Sequence, residues 1–374
     1  KIMAYSSIAK PTDYFNTVLY TGDLQDSDGT GHTQSITGVG FQPDWVWHKG
    51  RSGARTHMLV DRVRGVSSYN FLITNSNAIE TTANTNGAIS SIDSDGITVQ
   101  NGNDSSSKSN NAGKNGETYV TWNWLGANGT ASNSSGNITT TVSANTTAGF
   151  SIVSWTGNAV TGSTHGHGLG VKPDWIILKN RGPDVASWPV YHSGVDGTSS
   201  ARKYLSLNLT DGSTTSSSRW DNEEPGSTYF KTGSSGDVKG DSSGETFIAY
   251  CFASKKGFSK FGQYSGNGST DGTFVYTGFK PAWVMYKRIS GSGQDWVIVD
   301  NKRDPINVCD EELYANLNSA TGDVDLLDFL SNGFKCRRSH TSQNASGSTY
   351  IYMAFAENPF VANDSGTAVP VVAR

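Results

Sequence analysis

The sequence predicts an all-β protein built from three tandem, internally related antiparallel β-sandwich domains. Three observations lead there. One segment, Pro43-Asp44-Trp45-Val46-Trp47-His48-Lys49, returns as Pro173-Asp174-Trp175-Ile176-Ile177-Leu178-Lys179 and again as Pro281-Ala282-Trp283-Val284-Met285-Tyr286-Lys287, the mark of a copied unit. Each copy is opened by an aromatic, a hydroxyl residue and a glycine (Tyr20-Thr21-Gly22, Trp155-Thr156-Gly157, Tyr264-Ser265-Gly266). Each is closed by a strand such as Thr118-Tyr119-Val120-Thr121-Trp122, Thr246-Phe247-Ile248-Ala249-Tyr250 or Thr349-Tyr350-Ile351-Tyr352-Met353. The copies are about 130 and about 110 residues apart, domain-sized and too long for a solenoid or propeller repeat. Finally, the aromatic and β-branched stretches are short and lie between Gly, Asn, Asp and Ser clusters, the pattern of strands joined by turns.

In chain order, residues 1–14 read as an N-terminal arm, 15–127 as the first unit and 128–148 as a linker. The second unit is 149–257, the third 258–360, and 361–374 a C-terminal tail. In the first unit strands are expected near 15–21, 34–39, 44–49, 57–62, 69–74, 88–92, 96–100 and 118–124, enough for two facing sheets. Trp45 and Trp47 share one face of their strand and Val46 takes the other; Trp175, Ile177 and Ile176 divide the same way. A strand apolar on both faces sits centrally in a sheet, with its sandwich core on one side and a loop or neighbouring domain on the other. The proline at its head cannot donate to the ladder and marks the strand entry. Asp93-Ser94-Asp95-Gly96 and Leu330-Ser331-Asn332-Gly333 read as hairpin turns with the glycine at positive φ. The linker, rich in Gly, Asn, Ser and Thr, is expected to supply a short edge strand. The second and third units join almost directly through Lys255-Lys256-Gly257-Phe258 and should pack against each other, while the two chain ends are free to reach neighbouring subunits.

Composition excludes several function classes. Only 17% of the 374 residues are charged and the formal charge is −4, without the basic excess that nucleic acid or an anionic membrane surface demands. No run approaches the roughly 18 apolar residues of a spanning helix, and Lys1 to Ser7 lacks the apolar stretch of a secretory signal. Three cysteines cannot form a disulfide framework, and no Cys-x-x-Cys pair offers a metal or redox site. Cys251 reads as a small buried hydrophobe; the pairing of Cys309 with Cys336 stays open.

Recurrence sorts the remaining candidates, because a residue required by the fold should appear in every copy and a binding residue need appear in only one. Lys49, Lys179 and Lys287 recur, so each is read as a buried stem with a snorkelling or ion-paired head, with Asp61 and Asp300 as candidate partners. In the second unit Tyr191-His192 stands at that place. His165 and His167 could share a strand face and hold a metal, but a Gly-rich turn with His167 bonded to backbone is the simpler reading. His57, His192 and Ser193 lack the sequence context of a catalytic triad. Asp26 and Asp28 lack the rest of a calcium loop. Glu223-Glu224 and Glu311-Glu312 are the carboxylate pairs available for glycoside hydrolysis, yet adjacent residues on an extended chain point apart. No catalytic residue, metal or cofactor is therefore assigned. For sugar binding the tools are an exposed aromatic ring and nearby amide or carboxylate groups, and Trp220, Asp221, Asn222 and Glu223 combine both in one unit only. The competing reading folds Trp220 inward to cap its own domain.

The strings Phe15 to Gly22, Ile36-Thr37-Gly38-Val39-Gly40-Phe41-Gln42-Pro43-Asp44, Gly166-His167-Gly168-Leu169-Gly170 and Ala354-Phe355-Ala356-Glu357 resemble a family of unknown function found in marine bacteriophages, especially cyanophages. The resemblance runs from about Phe15 to Phe360. It implies a virion structural protein of a tail fibre, tail tip or capsid-surface appendage, assembled in the host cytoplasm, with lectin-like sandwiches of the concanavalin or jelly-roll kind. It carries over no functional residues. The chain enters its first repeat almost at once, which favours a small decoration or distal piece over a complete fibre. The expected function is a non-enzymatic surface protein whose loops contact host-surface glycans, with other virion proteins as partners and a homo-oligomer, by preference a trimer, as its state. A capsid decoration or cement protein without ligand is one alternative, and a carbohydrate-active enzyme the other.

Overall fold

Strand order repeats with the sequence. In the computed structural model, which describes residues 6–66, 70–81, 85–182, 185–195 and 202–359, the first repeat orders its strands Phe15–Thr21, Thr118–Trp124, Trp45–Gly50, Met58–Asp61. The second follows as Phe150–Thr156, Thr246–Phe252, Trp175–Asn180, Pro189–His192, and the third as Ser259–Ser265, Thr349–Pro359, Phe279–Arg288, Val297–Asp300. All these pairings are antiparallel, and the Trp strand is central each time. The protein is thus all-β, with several antiparallel sheets; its helical elements include the turn Pro11–Asp13 and the short helix Gly236–Lys239. No helix among the described residues is long and apolar enough to cross a membrane.

The framing motifs have a common physical cause. Backbone N–H groups of Gly22, Gly157 and Gly266 donate to the carbonyls of Glu117, Glu245 and Ser348, at 2.8, 2.7 and 2.8 Å. A Cβ on Gly22 would fall 2.3 Å from the Lys114 carbonyl and one on Gly266 2.3 Å from that of Ala345, so only glycine lets the strands come this close. The aromatic two residues earlier stacks on the closing strand: Tyr20 on Tyr119, Trp155 on Phe247 and Tyr264 on Tyr350, with ring centres 5.0, 5.2 and 4.9 Å apart. Pro-Asp heads the Trp strand because Asp44 and Asp174 accept from the N–H groups of Gly126 and Ser254, just past the closing strands.

The outer faces of the three Trp strands cover separate apolar clusters, around Val46 and Ile97, around Ile176 and Trp220, and around Val284 and Phe334. Their inner faces do something the sequence alone did not specify. Trp45, Trp47, Trp122 and Trp124, Trp175, Trp188 and Tyr250, and Trp283, Trp296 and Phe355 belong to one cluster drawn from all three repeats. Burying one such ring removes about 150–250 Å² from water, worth about 4–6 kcal/mol. The expected covering of the second face is therefore another repeat, and the inner sheets share one core.

Lysines lock the repeats in a ring. Lys49 Nζ donates to the carbonyls of Asn318 and Ser319, at 3.2 and 2.8 Å; Lys179 Nζ to that of Asn77, at 3.1 Å; Lys287 Nζ to that of Thr210, at 3.1 Å. The three acceptor positions are equivalent, because two residues earlier Asn75, Asn208 and Asn316 each accept from the N–H of His57, Trp188 and Trp296. First repeat grips third, second grips first, third grips second. The expected ion pairing to Asp61 and Asp300 is corrected: these carboxylates pair with Arg64 and Arg303, 2.5 and 2.7 Å away, and accept from Tyr250 Oη and Trp122 Nε1 of other repeats. A backbone carbonyl satisfies a buried ammonium without a second buried charge.

Other expectations divide. Strands form at or within a residue or two of most sites expected in the first repeat, but 69–74 makes only isolated bridges, through Phe71 and Leu72. Both hairpins form, closing at Asp93 with Gly96 and Leu330 with Gly333. Gly96 has φ +153°, whereas Gly333 is required by closeness, a Cβ there lying 2.1 Å from the Val275 carbonyl. The linker contributes two strands, Ala131–Asn133 and Thr140–Asn145, to the edge of the second repeat's sheet. The tail 361–374 and residues 1–5 of the arm lie outside the described residues.

Candidate functional site

The ring expected to stack on sugar is turned inward. Trp220 is 1% exposed, in edge contact with Tyr191 at 5.9 Å, so the glycan site assigned to Trp220, Asp221, Asn222 and Glu223 is corrected. Left-handed backbone at Asp221 and Asn222 (φ 51° and 55°) turns the chain back over its own cluster. Asp221 and Glu223 converge on the Lys231 ammonium, at 2.9 and 3.0 Å. Burying an indole gains more than leaving it in water.

Two rings the sequence reading passed over stand where Trp220 was expected to. Phe274 and Tyr276, 45% and 50% exposed, are the aromatic members of the exposed large hydrophobic residues among those described. They lie on strand Phe274–Tyr276 with Val275 buried between them, so both point to solvent, about 7 Å apart along the strand. The strand pairs with Gly333–Cys336, setting Phe274 opposite Lys335 and Tyr276 opposite Gly333. Lys335 bonds to Asp271, Arg337 reaches Asp328 at 3.4 Å, and Lys260 Nζ donates to the Tyr276 carbonyl at 2.6 Å while lying over its ring. Two apolar rings edged by ammonium, guanidinium and carboxylate groups match the C–H faces and hydroxyls of a saccharide. Alternation around Val275 was the available signal, and it is shared by any half-buried strand.

A family model for a domain of unknown function, DUF7483, matches residues 10–359. The chain belongs to the DUF7483 family. Comparison with curated proteins and with solved structures gave no match.

The other polar candidates of this DUF7483 protein are occupied. His165 is packed on Trp155, ring centres 4.3 Å apart, with Nε2 3.1 Å from Thr232 Oγ1. His167 bonds to backbone on both sides, at the Gly226 carbonyl and the Leu169 N–H. His57 accepts from Trp47 Nε1 at 2.8 Å, which puts its proton on Nε2, donating to the Tyr314 carbonyl across the ring of repeats. Ser193 donates to Asp174 at 3.2 Å, and His192 Nδ1 accepts from the Gly194 N–H at 2.8 Å. Glu223 is held by Lys231, Glu224 by Lys172 and Tyr191, Glu311 by Arg51, and Glu312 bonds to Tyr314. Asp26 accepts from Ser109 and Asp28 from the Gln25 N–H, and no metal-ligating cluster occurs among the described residues. Cys251, Cys309 and Cys336 are not in disulfides. Burial drives Asp304 up to about 7, but its carboxylate staples its own loop through the Asp310 and Glu311 N–H groups.

Proposed function

We propose that this DUF7483 protein is a non-enzymatic virion surface protein, in a tail fibre, tail tip or capsid appendage, that contacts host-surface glycans. The virion assignment rests on the resemblance of its residue strings to those of a phage family. The glycan reading rests on one observation: Phe274 and Tyr276 hold two half-exposed rings on one strand face, beside Lys260, Lys335 and Asp271. In this reading the architecture is three tandem sandwich units, 15–127, 149–257 and 258–360, assembled on the particle as a homo-oligomer, by preference a trimer, with other virion proteins. It uses no cofactor.

The test is retention on host lipopolysaccharide and a glycan array, comparing the protein with Phe274→Ala/Tyr276→Ala. Wild-type binding that falls at least tenfold in the variant, with an unchanged unfolding midpoint, is the expected result. Equal binding removes the ring pair from the account; no binding by either protein favours the ligand-free decoration reading. Release of reducing ends from host polysaccharide would overturn the non-enzymatic assignment.

A further inference from the structure

The three junctions of the ring are built on equivalent positions, and two of them are filled by arginines. Arg51, Arg181 and Ile289 are equivalent, since their N–H groups donate to the matching carbonyls of Thr118, Thr246 and Thr349. Where the first repeat meets the third, Arg51 pairs with Glu311 at 2.7 Å and Arg303 Nη1 donates to the Glu311 carbonyl at 3.0 Å. Where the second meets the first, Arg181 reaches Glu80 at 2.6 Å and Arg64 bonds to the same carboxylate. Where the third meets the second, Ile289 stands for Arg51 and Val195 for Arg303. Strand register sets Lys203 where Glu311 stands, because Val190 faces Leu205 as Ile298 faces Leu313. Ser213 takes the place of Thr321 and Glu80: its N–H donates to the Ile289 carbonyl as that of Thr321 does to Arg51.

At these equivalent positions the third junction carries neither the two guanidinium groups nor the carboxylate of the others, and among the described residues a cleft of about 320 Å³ lies there, lined by all four of these replacements. Gln263, Ser290 and Thr349 complete its wall from the third repeat. Ser290 Oγ already accepts from the Thr349 N–H and Ser213 Oγ donates to the Ile289 carbonyl, which fixes where these hydroxyls lie. A volume near the lower end for ligand pockets suits a single ring. Hydroxyls that both donate and accept, an amide and an ammonium, set against two aliphatic side chains, suit a polyol.

We propose that the cleft between the second and third repeats, at Lys203, Ser213, Gln263 and Ile289, is a binding site for one monosaccharide-sized polyhydroxylated ring. It is separate from the Phe274–Tyr276 strand. Packing does not require the opening, because the same fold closes it twice. Lys203 serves a hydroxyl of a neutral hexose or the carboxylate of a uronate.

Saturation-transfer NMR with glucose, galactose and glucuronate tests this on the full chain. Ile289→Arg/Lys203→Glu rebuilds the Arg51–Glu311 pair in the third junction. Transfer to at least one sugar is expected in the wild type, with affinity at least tenfold weaker in the closing variant and an unfolding midpoint equal or higher. Lys203→Met then separates the sources, weakening glucuronate alone if the carboxylate is recognised. Phe274→Ala/Tyr276→Ala should leave these signals unchanged, so this site and the ring pair stand or fall separately. Should the closing variant misfold, Gln263→Leu at an exposed strand position takes its place, with the same loss expected. Absence of transfer to all three sugars, or transfer undiminished by closing the cleft, overturns the proposal.

Discussion

Replacing His48 by leucine isolates one source of acid sensitivity, and the protein supplies its own precedent, because Leu178 occupies the same position in the second repeat's strand. His48 is fully buried, its ring stacked 5.5 Å from Tyr119 and its Nε2 2.8 Å from Tyr20 Oη. Burial, with the Lys49 charge second, holds its imidazole down at about 3. Since the unfolded value is about 6.5, the unfolded chain takes up a proton between those limits that the folded chain refuses, and stability falls as pH drops below about 6.5. Between pH 7.5 and pH 5 the loss from this one residue is about 2 kcal/mol. His165 and His192, each held at about 3 by burial, add losses of similar size. Together they approach the 5–15 kcal/mol that usually separates folded from unfolded states. Urea unfolding at the two pH values, for wild type and His48→Leu, measures the difference, in which all other titrating groups cancel. Tyr20 Oη keeps the Ala112 carbonyl as a partner, so the variant should be close to wild type at pH 7.5 and about 2 kcal/mol less acid-sensitive. An identical pH dependence in both proteins would refute the reasoning.

Because the inner faces share one core, the three repeats should unfold in a single transition. Trp283→Ala should cost about 3–5 kcal/mol and shift tryptophan fluorescence and circular dichroism together, whereas a separate transition for the third repeat would count against a common core. Arg64→Met leaves Asp61 and Glu80 without their buried guanidinium and should destabilise by about 3–5 kcal/mol in denaturant titration; no measurable change would mean that Arg181 and Tyr250 suffice. Burial pushes the Cys336 thiol up to about 12 and raises that of Cys251, and Cys309 is fully enclosed, so a thiol reagent should find no reactive group before unfolding. Labelling of folded protein would contradict the packing around them.

What the sequence made legible was what recurs. Trp45, Trp175 and Trp283 mark equivalent strands that the sequence reading puts inside their sheets with both faces covered, and those strands do lie there. Period-2 alternation says that a face is covered, but not by what, so the shared core could not be read from it. The lysines misled for a related reason: Asp61 and Asp300 at matching places in two repeats suggest ion pairs, while the acceptors that join the repeats are carbonyls 269, 102 and 77 residues away in sequence. A main-chain acceptor leaves no side-chain signature. Trp220 shows the limit of composition, since a polar neighbourhood in sequence did not keep the indole at the surface. Phe274 and Tyr276 escaped notice because exposure follows from an outer strand being uncovered on one side, which depends on the whole assembly.

Fusion of the repeats explains why a difference among them carries information. In a ring of three identical chains every junction must have the same residues, so replacing Arg51 by isoleucine would empty all three at once, and each empty junction would lose a pair bridging two repeats. Written as one chain, two junctions can keep Arg51 with Glu311 and Arg181 with Glu80, while the third departs to Ile289 and Lys203. The Lys287 clasp to the Thr210 carbonyl remains in that third junction, at the same 3.1 Å as Lys179 to Asn77, so the opening leaves the ring itself closed. A cleft with an intact clasp behind it is a local change of surface on an unaltered frame, and for that reason rebuilding the ion pair there should alter binding while leaving the fold standing.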